Sequence, residues 1–189
     1  MVNSGCELAV KDLLAAFESE VNAHASYKAF AVKAEEEGLY GAASLFRAAA
    51  RAEQIHAANH GRVIRQMGGE AKAEIHPVQV KTTLENLKSA LSGEQNEIQS
   101  LYPGFLKSAT SHLDTSAMRT FIWAIEAEKT HARLYSDAIA LVESGKADAW
   151  TQAELAFYVC TLCGYTAKHR EAENCPACNF LWERFEVIR

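Results

Sequence analysis

The sequence predicts an all-α four-helix bundle followed by a small, β-rich cysteine domain. Residues 5–146 are rich in Ala, nearly free of Pro, and carry apolar residues at helical spacing. Each apolar stripe is interrupted at its centre by Glu or His. Four of the five cysteines fall between Cys160 and Cys178.

Breaks at Glu37-Gly38, Gly68-Gly69, His76-Pro77, Ser108–Asp114 and Ser144-Gly145 divide the first part into helices over about 5–37, 41–68, 79–108 and 114–145. Short links make the first and last pairs antiparallel hairpins. The middle link of about ten residues, at roughly 3.3 Å each, just runs the length of a bundle and permits one long crossover. After Trp150 aromatics and cysteines replace Ala, and Phe157-Tyr158-Val159 reads as a strand. A boundary near 147–153 separates a domain at 1–148 from one at 153–189.

The chain has 189 residues, 49% of them hydrophobic, and a net charge of −5. That suffices for a mid-sized and a small domain, excludes global disorder, and argues against general nucleic-acid or anionic-membrane binding. No apolar stretch reaches the roughly 18 residues of a membrane span, and residues 1–14 lack a basic segment followed by an apolar run. The expected location is cytoplasmic. In a reducing compartment, paired CxxC motifs point to a metal rather than to disulfides. Cys6 stands apart and is expected to be an ordinary thiol.

The stripes are Leu13, Ala16, Phe17, Glu20, Tyr27 and Ala31; then Leu45, Phe46, Ala49, Glu53, His56, His60 and Ile64; then Leu87, Ala90, Leu91, Glu94, Glu97, Leu101 and Phe105; and Phe121, Ala124, Ile125, Glu128, His131, Tyr135 and Ile139. Offsets of three, four and seven place each set on one face. Single glutamates of this kind usually face solvent. The set is different, because Glu53-x-x-His56 recurs as Glu128-x-x-His131. Glu20 precedes Glu53 by 33 residues and Glu94 precedes Glu128 by 34, so the bundle reads as two copies of one hairpin. This is the ligand pattern of di-iron and di-manganese carboxylate bundles.

Buried carboxylates need a counter-charge, and no Lys or Arg lies near the stripe centres. Two divalent cations would nearly cancel five carboxylates, and a mixed carboxylate–imidazole set suits iron or manganese. Helix three adds Glu97 where helix one has Ala23. Tyr27 and Tyr102 lie within two turns of the ligands and are candidates for orienting a carboxylate or bound peroxide. His60 is expected to be structural, as are His24, His76, His112 and His169.

In the tail, Cys160-x-x-Cys163-Gly-Tyr and Cys175-Pro-Ala-Cys178 are separated by eleven residues. Two such knuckles present four thiolates tetrahedrally to zinc or iron. Gly164 and Asn179 are expected to take left-handed turns after the second Cys of each. Tyr158, Tyr165, Phe180, Trp182 and Phe185 are expected to shield the centre.

Together these motifs resemble the rubrerythrin family over nearly the whole chain. The resemblance is carried by Glu20 through Tyr27, Glu53-Gln-Ile-His56, Gly93-Glu94-Gln-Asn-Glu97 with Tyr102-Pro103, Glu128-Lys-Thr-His131 and the Cys160–Cys178 knuckles. It implies a ferritin-like bundle with a C-terminal rubredoxin-like iron domain. It also implies three irons per chain, one di-iron centre and one Fe(Cys)4 centre held by Cys160, Cys163, Cys175 and Cys178. Glu53 and Glu128 would bridge the pair, Glu20 would hold one iron, and Glu94 with His131 the other. Glu97 and His56 would exchange on the first iron with oxidation state. Glu97, His56, Tyr27 and Tyr102 are thus the expected catalytic residues.

The implied activity is a non-haem di-iron peroxidase that reduces hydrogen peroxide to water in oxidative-stress defence. Electrons would come from rubredoxin or an NAD(P)H-dependent rubredoxin reductase. The expected assembly is a homodimer with one subunit's tail near the other's di-iron site. The rival readings are a ferritin-like ferroxidase or storage protein with a structural tail metal, and a non-catalytic bundle with a zinc ribbon. Neither gives Glu97 or the paired knuckles a purpose.

Overall fold

The computed structural model describes residues 4–145 and 155–189, with side chains at the N-terminus from Ala9 onward. The boundary expected at 147–153 and the Cys6 side chain lie outside the described residues. Helices α1 (Ser4–Glu36) and α2 (Tyr40–Gln66) form one hairpin. A second hairpin comprises α3 (Thr83–Asn96), a π-helical turn (Glu97–Leu101), α4 (Tyr102–Ser111) and α5 (Thr115–Glu143). None of the described helices is long and apolar enough to cross a membrane.

Side-chain pairings fix the topology. Tyr27 meets Glu94 and Ser19 meets Glu97, so α1 runs antiparallel to the α3–α4 unit. His56 meets Glu128 and Glu53 meets His131, so α2 runs antiparallel to α5. Helices α2 and α3 are therefore parallel, and residues 67–82 must cross the bundle's full length. This corrects the expected link of about ten residues. Ten extended residues reach about 33 Å, short of the roughly 40 Å of an α-helix as long as α2.

The third helix starts at Thr83, not at 79, because Thr82 and Glu85 form a reciprocal capping box. It also does not run unbroken to 108. The π-helical turn interrupts it, and α4 continues to Ser111. This turn explains the unequal repeats of 33 and 34 residues: both hairpin links are three residues long, at 37–39 and 112–114, so the extra residue lies inside the helix. A one-residue insertion rotates every later side chain about the helix axis. Tyr102 becomes fully buried, while Leu101 and Phe105, assigned to the stripe, are only partly buried.

The bundle core has two apolar layers. One surrounds Tyr27, Phe30, Phe46 and Tyr135; the other surrounds Leu13, Ile64, Tyr102 and Phe121. The buried glutamates and histidines lie between them. The tail is a three-stranded antiparallel sheet in the order β2-β1-β3, with β1 at Phe157–Cys160, β2 at Thr166–Ala167 and β3 at Phe185–Ile188. Alternation along β1 sends Phe157 and Val159 into the bundle core, while Tyr158 and Cys160 face the cysteine cluster.

Candidate metal centres

Glu20, Glu53, His56 and Glu128 form one group whose ligand atoms all lie within 4.8 Å of one another. Glu53, Glu94, Glu128 and His131 form a second group of the same kind. Glu53 and Glu128 belong to both, in the middle of a buried, pseudo-twofold arrangement. His56 Nδ1 lies 2.9 Å from Glu53 and 2.8 Å from Glu128. His131 Nδ1 lies 2.7 Å from Glu128 and 3.4 Å from Glu53. Glu97, the remaining predicted ligand, is in neither group. Its Oε1 accepts a hydrogen bond of 2.7 Å from Ser19 Oγ.

The terminal carboxylates are each held by a tyrosine from the opposite hairpin. Tyr27 donates to Glu94 Oε1 at 2.7 Å, and Tyr102 donates to Glu20 Oε1. His60, expected to be structural, stands one bond behind: its Nε2 lies 3.1 Å from Tyr102 Oη and its Nδ1 3.1 Å from Thr120 Oγ1. With Tyr102 donating to Glu20 Oε1, the chain Thr120→His60→Tyr102→Glu20 gives both His60 nitrogens and the Tyr102 hydroxyl a partner. His60 lay on the predicted stripe, but nothing in the sequence indicated this chain.

Both cluster imidazoles are gripped from outside by the tail. His56 Nε2 lies 3.0 Å from the Cys163 carbonyl, an acceptor only, so Nε2 carries a proton, and the neutral, metal-binding form of the ring turns its Nδ1 lone pair inward. His131 Nε2 lies 3.1 Å from Thr166 Oγ1. That hydroxyl already donates to the Gly164 carbonyl at 2.9 Å, so it accepts from His131, which takes the same tautomer. Orientation of metal-binding imidazoles by such outer partners is usual. Thr166 carried no sequence signal.

Do these residues fit metal ions? Glu20 Oε2, Glu53 Oε1 and Glu128 Oε1 are buried without a hydrogen-bond partner. Among the described residues, the ion-pair partners of the central carboxylates are all histidines. Burial pushes Glu53 up to about 7, reinforced by the charges of Glu128 and Glu20. Burial and the neighbouring carboxylates likewise raise Glu94 and Glu97 well above the carboxylate range. Burial alone would lower His131, but Glu128 holds it up at about 9. Such a crowded anionic set takes up protons unless cations replace them. The donors fit two ions of the carboxylate–imidazole type.

In the tail, Cys160 and Cys178 Sγ are 3.6 Å apart, as are Cys163 and Cys175 Sγ. A disulfide is far shorter, whereas a tetrahedron with metal–sulfur bonds of roughly 2.3 Å has edges near 3.8 Å. The two knuckles are equivalent: Gly164 N donates to Cys160 O and Asn179 N to Cys175 O, with φ of +80° and +61°. Tyr158, Tyr165, Phe180, Trp182 and Phe185 pack around the sulfurs, joined by Trp123 from α5.

The tail docks on the bundle of the same chain. Asn59 Nδ2 donates to the Leu162 carbonyl at 2.8 Å, and Arg51 makes a two-point bond to Glu186 at 2.6 and 2.9 Å. The tail thus lies beside the dinuclear set of its own chain, whereas the expected arrangement sets it beside that of the other subunit.

The sequence model of the Rubrerythrin family matches residues 11–139. Rubrerythrin-2 of Clostridium acetobutylicum is 33% identical over 177 residues, covering 93% of this chain and 94% of its own length. Nigerythrin of Nitratidesulfovibrio vulgaris is 34% identical over 171 residues, covering 89% of this chain and 81% of its own. A solved structure of nigerythrin in a partially reduced state superposes with a TM-score of 0.84 at 31% identity, covering 99% of this chain and 88% of that one. The bacterioferritin of Desulfovibrio desulfuricans shares the bundle fold, at a TM-score of 0.71 and 21% identity. The donor sets fit three irons, a dinuclear centre and a rubredoxin-type Fe(Cys)4 centre. With its helical ferritin-like bundle, its paired Glu-x-x-His motifs and its four-cysteine tail, the chain belongs to the rubrerythrin family.

Proposed function

We propose that the protein is a peroxidase that reduces hydrogen peroxide by two electrons and two protons to two waters, with electrons received through the tail. The observation that carries this reading is the position of His56, whose Nδ1 faces the dinuclear set and whose Nε2 bonds the carbonyl of the tail ligand Cys163. One imidazole thus joins the two donor sets by a short bonded path. A structural zinc ribbon has no need of such a path.

In this reading Glu20, Glu53, His56 and Glu128 would hold one iron, and Glu53, Glu94, Glu128 and His131 would hold the other. Cys160, Cys163, Cys175 and Cys178 hold the third iron. The dinuclear iron, when bound, supplies both electrons together. The remaining work falls to the chain. A cavity of about 570 Å³ between α1 and the α3–π-turn segment is lined by Ser19, Asn22, Tyr27, Gly93 and Glu97, and offers a small polar oxidant a way in. Burial first, then the nearby Glu94 charge, holds the Tyr27 phenol well above its ordinary pKa, so its proton stays in place beside that cavity. Tyr102, held up in the same way by burial and Glu20, keeps Glu20 oriented.

The donor in this proposal is rubredoxin or an NAD(P)H-dependent rubredoxin reductase in the cytoplasm, and the protein acts as a homodimer. The test is Cys160→Ser. It should abolish the ferric-thiolate colour and most reductase-linked peroxide turnover, yet spare a single peroxide reduction by chemically prereduced protein. Undiminished steady-state turnover would refute the electron-input role. Faster oxidation by dioxygen than by peroxide, with many ferric ions retained per chain, would favour iron storage.

A further inference from the structure

We infer that Ser19 is a positioning residue that holds the Glu97 carboxylate out of the dinuclear donor set and so governs how readily Glu97 takes the place of His56 there. The inference rests on the ligand roles proposed above and on the exchange of Glu97 with His56 that the family resemblance implies. Glu97 is almost fully buried, yet it is in neither ligand group. Its Oε1 is held instead by the Ser19 hydroxyl at 2.7 Å. The two residues line the same cavity, and Ser19 directly precedes Glu20 on α1, so its direction is set by the helix that presents a ligand.

The geometry leaves Glu97 free to move once released. It begins the π-helical turn, where the regular backbone pattern is already broken. Ala23 on α1 lines the same cavity and presents no charge or bulk there. His56, by contrast, is anchored from outside by Cys163. The choice between the two ligands is thus a competition in which Ser19 stabilises one side. A single neutral hydrogen bond shifts such an equilibrium by about 2- to 10-fold. An anionic ligand favours the higher oxidation state of a metal over a neutral imidazole. Releasing Glu97 should therefore make the dinuclear iron harder to reduce.

The experiment is a potentiometric titration of the iron-loaded full chain, comparing Ser19→Ala with the native residue. Ala is the better helix former at this partly exposed position, so folding is not at risk. The dinuclear potential should fall by about 59 mV for each tenfold shift in a one-electron step. The Fe(Cys)4 potential, remote from Ser19, should stay fixed. Ser19→Thr, which keeps a hydroxyl, should restore the native value, and Ser19→Ala should have no effect in a Glu97→Ala background. Crystals of oxidised Ser19→Ala should have Glu97 on the metal. An unshifted dinuclear potential, or a shift that persists without Glu97, overturns the role of Ser19 and leaves the peroxidase reading intact. A chain with no dinuclear redox step at all overturns both. Peroxide turnover that is absent despite the shift sinks only the peroxidase reading.

Discussion

Replacing Gly164 by alanine puts a methyl group where the tail meets the bundle. A Cβ there would collide with His56 Nε2 and lie 2.9 Å from His56 Cδ2 and 3.3 Å from Ala52 Cβ. The residue also has φ of +80°, which costs an alanine roughly 1–2 kcal/mol. Gly68 separates the two effects: its φ is +82°, and a Cβ there meets nothing within 4 Å. Gly68→Ala should therefore lose about 1–2 kcal/mol, worth roughly 2–4 °C of Tm per kcal/mol in a chain of this size. Gly164→Ala has the same backbone cost. It must also move the knuckle or His56 far enough to break the 3.0 Å bond to Cys163, adding about 1 kcal/mol. A displacement near 1 Å at a pre-aligned contact reduces rate by up to about 100-fold. The expected result is a Tm below that of Gly68→Ala and reductase-linked peroxide turnover lowered about 10- to 100-fold, with the four-cysteine chromophore retained. Stopped-flow reoxidation of the reduced tail centre measures the transfer directly. If Gly164→Ala matched Gly68→Ala in both Tm and transfer rate, the contact between Cys163 and His56 would not be the working route.

Two further outcomes are expected from the same contacts. Thr166→Val removes the acceptor for His131 Nε2–H while keeping shape, and should weaken iron binding at the dinuclear site about 10- to 100-fold, with Thr166→Ser close to native; equal affinity in a competition titration would refute the orienting role. Metal loading at pH 7 should release at least one proton per chain, because Glu53 at about 7 and His131 at about 9 hold protons that cations displace. The affinity should fall as pH drops from about 9, where His131 takes up its proton, and more steeply below about 7, where Glu53 follows. Titration calorimetry in buffers of different ionisation enthalpy would measure this, and heats independent of buffer would contradict it.

The periodic features of this protein are written in its sequence. Glu53-x-x-His56 and Glu128-x-x-His131 sit on one helical face whatever the surroundings, since helix geometry alone aligns residues three and four apart. The two CxxC knuckles, with left-handed Gly164 and Asn179, are equally local. Even the π-helical turn left a trace, the single residue by which the second repeat exceeds the first. The features hidden from the sequence depend on partners distant in the chain. The hydrogen-bond partners of His56 and Glu97, Cys163 and Ser19, lie 107 and 78 residues away respectively. The chain from Thr120 through His60 to Glu20 exists only because α1, α2, α4 and α5 meet at one level of the bundle. The grip of the tail on both imidazoles depends on where the sheet lands, and a threonine at position 166 looks like any strand residue until His131 is beside it. Local spacing selects which side chains enter the core; packing between elements selects which of them touch, and that second choice sets the chemistry.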